Sequence, residues 1–188
     1  MKSTVRAILF LAIFGFLYAQ DQQTSATVRM WPQEPDGFQD LKFGNTQTEV
    51  KTILKESVGQ CYEQQRNGGC QASTKIGDSL VFLTMLFKDK SLSLISGEFP
   101  SSEFMTLKPL FLERYGTPTS DKMDTVTNRL GGKFENETLT WTGKNVSLTL
   151  ERFHSSISKS NFTLSSNTYI EEVKKEQEEK RKQDAKKM

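Results

Sequence analysis

Leu80-Val81-Phe82-Leu83-Thr84-Met85-Leu86-Phe87, then Lys88-Asp89-Lys90, then Ser91-Leu92-Ser93-Leu94-Ile95-Ser96-Gly97-Glu98-Phe99-Pro100, is the stretch that decides the fold. Eight residues that are apolar in both phases of a two-residue period, Leu80, Phe82 and Leu86 against Val81, Leu83, Met85 and Phe87, predict a central strand covered on two sides. The charged turn Lys88-Asp89-Lys90 sends the chain back, and Leu92 to Phe99 becomes the antiparallel partner, ended by Pro100.

The same signals recur on either side of this pair. Upstream, Thr46-Gln47-Thr48-Glu49 is a capping box ahead of Val50, Ile53 and Leu54, which predicts a short amphipathic helix over 47–56. Val58 to Gln64 and Cys70 to Lys75 then flank Asn67-Gly68-Gly69 as a hairpin. Downstream, Ser101-Ser102 opens a helix that carries Phe104, Leu107, Leu110, Phe111 and Tyr115 and stops at Gly116-Thr117-Pro118; Pro109 removes one of its backbone bonds and is expected to kink it or shift its start. From Lys122 the period returns to two, with Phe134, Leu139 and Trp141, Val146, Leu148 and Leu150, and Phe162 and Leu164 separated by turn residues at Gly131-Gly132, Glu135-Asn136 and Gly143-Lys144-Asn145.

The fold class is therefore α+β: a twisted antiparallel sheet of about 6–8 strands with two helices on one face, laid down as helix then strands, twice. The segments are a signal peptide over 1–19, a polar linker over 20–37, a single domain over 38–169 and a charged C-terminal helix over 170–188. Within the domain, 38–99 and 100–169 form a repeat of architecture without a repeat of sequence.

Lys2 and Arg6 precede the uncharged run Ala7 to Ala19, and Gln20-Asp21-Gln22-Gln23 follows it, the three-part layout of a secretory signal. About 13 apolar residues rise only about 20 Å as a helix, short of a hydrocarbon core of about 30 Å, so cleavage and a periplasmic or secreted product are expected. Leu17 stands where a small residue suits the cleavage site, so a retained anchor and a tethered structural protein stay open as an alternative.

Cys61 and Cys70, the two cysteines of the chain, are expected to form a disulfide in that oxidising compartment. With 35% apolar and 10% aromatic residues one core can be buried. The formal charge of +2 includes Lys2 and Arg6, so the cleaved chain is close to neutral and has no basic excess for nucleic acid.

Candidate chemistry is sparse. His154 is the single histidine, no nucleophile elbow accompanies it, and a solvent-facing or locally bonded imidazole is the plainer reading. Asp36 with Asp40, Asp121 with Asp124 and Glu135 with Glu137 sit in turn-rich stretches and match no calcium-loop spacing. No catalytic, cofactor-binding or metal-binding residue is assigned. Sequons at Asn136, Asn145 and Asn161 matter only in a eukaryotic source. The C-terminal run balances its lysines and arginine against its acids, so it is neither a polybasic membrane patch nor an apolar heptad; it reads as a solvated helix, with a weak docking arm for a partner as the alternative. Among the aromatics, Trp141 alternates in phase with Leu139 and belongs to the core, whereas Trp31, by which the linker can dock on the domain, is the candidate partner contact.

The chain resembles a group of small exported bacterial proteins through Leu41-Lys42-Phe43-Gly44 before the Thr-x-Thr-Glu-Val helix start, Arg114-Tyr115-Gly116-Thr117-Pro118, the run Asn128 to Glu137 followed by Trp141, and the charged C-terminal helix. In architecture it is similar to β-lactamase inhibitor protein and to small outer-membrane assembly lipoproteins, a likeness that implies protein binding. It lacks the lipidated cysteine of the latter, having Gln20 and Asp21 at the signal cleavage site. The expectation is an exported, non-enzymatic envelope protein that binds another envelope protein in inhibitor-like fashion; the alternatives are a ligand-binding or hydrolytic protein with a pocket near His154, and a membrane-tethered structural protein.

Overall fold

A computed structural model describes residues 31–55, 58–64 and 67–188. The expected signal over 1–19 and most of the linker lie outside the described residues.

The chain opens with a two-stranded ribbon, β1 (Gly37–Phe38) and β2 (Leu41–Lys42), and continues into α1 (Gln47–Leu54). Thr46 caps α1: its hydroxyl accepts from the Glu49 amide while the Glu49 side chain returns to the Thr46 amide, as the sequence requires. Four strands follow in order, β3 (Val58–Gln64), β4 (Asn67–Ile76), β5 (Ser79–Lys88) and β6 (Ser91–Pro100). A 3-10 turn at Ser101–Glu103 leads into α2 (Phe104–Tyr115), and four more strands complete the second half: β7 (Ser120–Thr127), β8 (Lys133–Thr142), β9 (Val146–Glu151) and β10 (Lys159–Ser166). The last element is α3 (Asn167–Ala185), capped by Ser166.

The eight long strands form one antiparallel sheet in the order β3-β4-β5-β6-β10-β9-β8-β7. Each half is a meander, and the final strands of the two halves, β6 and β10, meet at the centre, with Phe162 opposite Gly97. Gly97 permits that meeting: a Cβ there would lie 2.1 Å from the Phe162 ring and 2.8 Å from Val81. Phe162 can therefore lie over the strand and stack against Phe38 at 4.8 Å and Phe111 at 5.3 Å.

One contiguous core fills the helical side of the sheet. Val81, Leu83, Met85, Ile95 and Phe99 from the first half, and Leu139, Trp141, Leu148, Leu150 and Leu164 from the second, pack with Val50 of α1 and with Phe104, Leu107, Phe111 and Tyr115 of α2. Helix α2 continues through Pro109, which lies on its exposed side, where the bond it cannot make is left to water.

Four expectations change. Trp31 is not a partner contact, because the linker docks by it: the residue is 3% exposed, its amide donates to Thr142 O and its indole Nε1 to Tyr115 O at 2.9 Å, and Glu34 accepts from the Lys144 amide at the β8–β9 turn. The run Asn67-Gly68-Gly69 is not the turn but the start of β4, with Asn67 paired to Gln64. Glu135-Asn136 is not a turn either; both lie in β8, and the buried Asn136 side chain donates to Glu151 and to Phe153 O. Most consequentially, at Leu80 and Phe82 β5 is covered on one side only: Val81, Leu83, Met85 and Phe87 are buried, whereas Leu80 is 47% and Phe82 56% exposed, and the same phase meets α3 at Lys88.

Helix α3 begins three residues earlier than the charge pattern suggests, because Ser166 and Asn167 find partners: the Asn167 side chain donates to Gly143 O and Lys144 O. Its anchoring ion pair is tertiary, Glu176 with Lys88 of β5. That carboxylate raises the Lys88 ammonium above its usual pKa.

Candidate functional site

Strand periodicity places alternate residues of all eight strands on the face opposite the core. Register then sets them in rows. One row runs Phe82, Glu98, Asn161, Glu151, Thr138, Lys122; the next runs Thr84, Ser96, Thr163, Thr149, Thr140, Ser120. A third begins Leu86, Leu94, Ser165. The face is thus mainly apolar over β5, mixed over β6, where Leu94 lies with Ser96 and Glu98, and hydroxyl-rich over β10, β9 and β8.

The boundary between these regions is a groove of about 360 Å³, with Phe82, Leu86 and Leu94 on one side and Glu98, His154 and Asn161 on the other. Tyr62 extends the aromatic surface: it is 54% exposed, and its ring lies across Gly69, where a Cβ would come within 2.6 Å of it. The Cys61–Cys70 disulfide, a directly opposed cross-strand pair, ties this end of β3 to β4. The cysteine pairing expected from the sequence is thus present.

The polar groups of the groove are largely engaged with one another. The Asn161 side chain donates to Ser96 Oγ at 2.8 Å and accepts from Thr163 Oγ1 at 2.8 Å. Lys159 pairs with Glu98 at 2.6 Å. His154 Nδ1 lies 3.0 Å from Glu151 Oε2, and Glu151 Oε1 accepts from Asn136. A histidine, a carboxylate and a groove therefore do come together. The hydroxyls of Ser96 and Thr163 bond to Asn161 and to each other, not to the imidazole. An imidazole without a bonded hydroxyl lacks the nucleophile–base contact of acyl transfer.

Residues singled out from the sequence are dispersed otherwise. Trp31 is in the core against Tyr115 and Trp141, at 5.7 and 6.5 Å, and offers no surface to a partner. Asp36 pairs with Lys42 at 2.7 Å rather than with Asp40, and the Lys42 ammonium holds its carboxyl below the usual range. Asp124 pairs with Lys122, and Glu137 with Lys108 of α2. Among the described residues no group of three or more His, Cys, Asp or Glu is placed to hold a metal ion, and no helix is long and apolar enough to cross a membrane.

The residues missed were Leu80 and Phe82, read as covered. Their phase contains Thr84, and across the strand pair Phe82 faces Glu98 and Thr84 faces Ser96. That polar company marks a face left to solvent. Compared with family models, curated proteins and solved structures, the chain matches none.

Proposed function

We propose that this chain is an exported, non-enzymatic envelope protein that binds another protein on the open face of its eight-stranded sheet, in the manner of an inhibitor-like module. The observation that carries the reading is Phe82, 56% exposed in mid-sheet beside Leu80, Leu86 and Leu94. An aromatic anchor amid apolar neighbours and a rim of satisfied polar groups is the anatomy of a protein contact. The disulfide suits an oxidising compartment.

A photo-crosslinking residue at position 82, introduced in a Gram-negative host, tests it, with position 130, at the exposed β7–β8 turn, as control. A discrete adduct from position 82 that is absent from position 130 is expected. Adducts from neither position, or equally from both, would refute the assignment. Determining the N-terminus of the same fractionated protein decides between a cleaved product beginning near Gln20 and a tethered one.

A second reading, a ligand-binding or hydrolytic groove, draws on the His154–Glu151 pair at the rim. It requires His154→Ala to abolish a measurable turnover or ligand-induced shift.

A further inference from the structure

Among the described residues, the eight-stranded sheet ends at β3 on one side and β7 on the other. The β3 edge is interrupted by a register shift between Val58 and Cys61. Strand β7 is regular: eight consecutive residues pair with β8, from Ser120 opposite Thr140 to Thr127 opposite Lys133. Continuing that register, the Asn128 amide donates to Gly132 O. In an antiparallel ladder the N–H and C=O of one residue point to the same side and alternate along the strand. The even residues of β7 therefore bond to β8, and Asp121, Met123, Thr125 and Thr127 turn their N–H and C=O outward. No hydrogen bond from another described residue reaches these outward groups. Among the described residues this edge is unpaired, and its eight-residue register, free of any shift, suits it to accept another strand.

Its side chains select the occupant. Lys122 and Asp124 share the open face and pair with each other at 2.7 Å, and Met123, between them on the other face, is 56% exposed. We propose that β7 pairs antiparallel with β7 of a second copy of this chain, on a two-fold axis at Met123. In that register Met123 faces its own counterpart as a hydrogen-bonded pair. Lys122 then stands opposite Asp124 of the second copy, and Asp124 opposite its Lys122, closing a square of four charges in which every neighbour is of opposite sign. Moving the axis by one residue sets lysine against lysine or aspartate against aspartate. Of the registers centred on Lys122, Met123 and Asp124, electrostatics favours the one at Met123, and in it the two sheets join into one. The interface is isologous and closed, so it yields dimers and no filament.

The test uses the purified chain and charge swaps in β7. Sedimentation equilibrium is expected to give twice the monomer mass for the native sequence. Lys122→Asp, which places four carboxylates in the square, should return a monomer, and Lys122→Asp combined with Asp124→Lys should dimerise again. In parallel, Met123→Cys should form an intermolecular disulfide under mild oxidation, because the Cα atoms of a hydrogen-bonded pair lie about 5.5 Å apart. Asp121→Cys should not, because its counterpart is displaced by four residues, about 13 Å along the strand. A native monomer throughout the micromolar range, an unchanged Lys122→Asp dimer, or crosslinking at 121 as efficient as at 123 would overturn the proposal. Circular dichroism of each variant against the native spectrum separates loss of pairing from loss of folding.

Discussion

Replacing Trp31 by Ala separates a docked strap from a linker. The indole is 3% exposed, donates to Tyr115 O, and packs edge-on to Tyr115. Truncating a buried tryptophan to alanine costs about 3–5 kcal/mol, against a total stability of about 5–15 kcal/mol for a domain. The freed Tyr115 carbonyl gains access to water through the vacated space, so no separate penalty is added for it. With a urea dependence of about 2 kcal/mol/M, a loss of about 4 kcal/mol moves the midpoint down by about 2 M. Trp31→Phe keeps most of the ring contact and leaves the Tyr115 carbonyl without its donor, so its loss is set by the hydrogen bond, about 1–2 kcal/mol. Urea titration followed by far-ultraviolet circular dichroism reads both, and the emission of Trp141, 6.5 Å from Trp31, reports the same transition. A Trp31→Ala midpoint within about 0.3 M of the native one, at unchanged slope, would show that the segment is a linker after all.

Other expectations concern the core, the bridge, the cap and the open face. Gly97→Ala should destabilise by about 2–3 kcal/mol through collision with Phe162 and Val81; in a double-mutant cycle Phe162→Leu should offset at least about 1 kcal/mol of that, and strict additivity would refute the contact. Reduction of Cys61–Cys70 should lower stability by about 2–3 kcal/mol, the value for a loop of about ten residues, and an unchanged melting curve in reductant would count against it. Glu49 is held below the ordinary carboxylate range by the Thr46 amide and hydroxyl, so its contribution is present above pH of about 4 and lost as pH falls through the depressed value. The loss caused by Glu49→Gln should therefore be largest near neutral pH and shrink as pH falls through the depressed value; a loss that does not change with pH would sink the assignment. Phe82→Ser should leave stability within about 0.5 kcal/mol of native, since the ring is mostly in water; a large loss would mean that the open face is buried.

Much of this architecture could be read locally. A capping box, a helix stop at Gly116-Thr117-Pro118 and period-two runs depend on residues within a few positions of one another, so α1, α2 and most strands were legible. The Cys61–Cys70 pair was legible because its two members flank one hairpin. The turn at Asn67-Gly68-Gly69 was misplaced because a glycine-rich run suits a turn and equally suits a strand crossed by the Tyr62 ring. Asn136, a turn former by composition, was claimed by β8 because Glu151 and the Phe153 carbonyl supply its partners.

The chain by itself determined the fold class, the order of the elements and the cysteine pairing, because periodicity, caps and short-range pairing act within a turn or a hairpin. Tertiary structure alone decided which face of the sheet is wet. Both phases of β5 are apolar, and the choice between them depends on where α1 and α2 settle and on Gly97 admitting Phe162, a residue 65 positions away. It also decided that Trp31 is core and not contact, since its partners Tyr115 and Trp141 come from the far half of the chain. Burial depends on what packs above a residue, and local spacing carries no record of that.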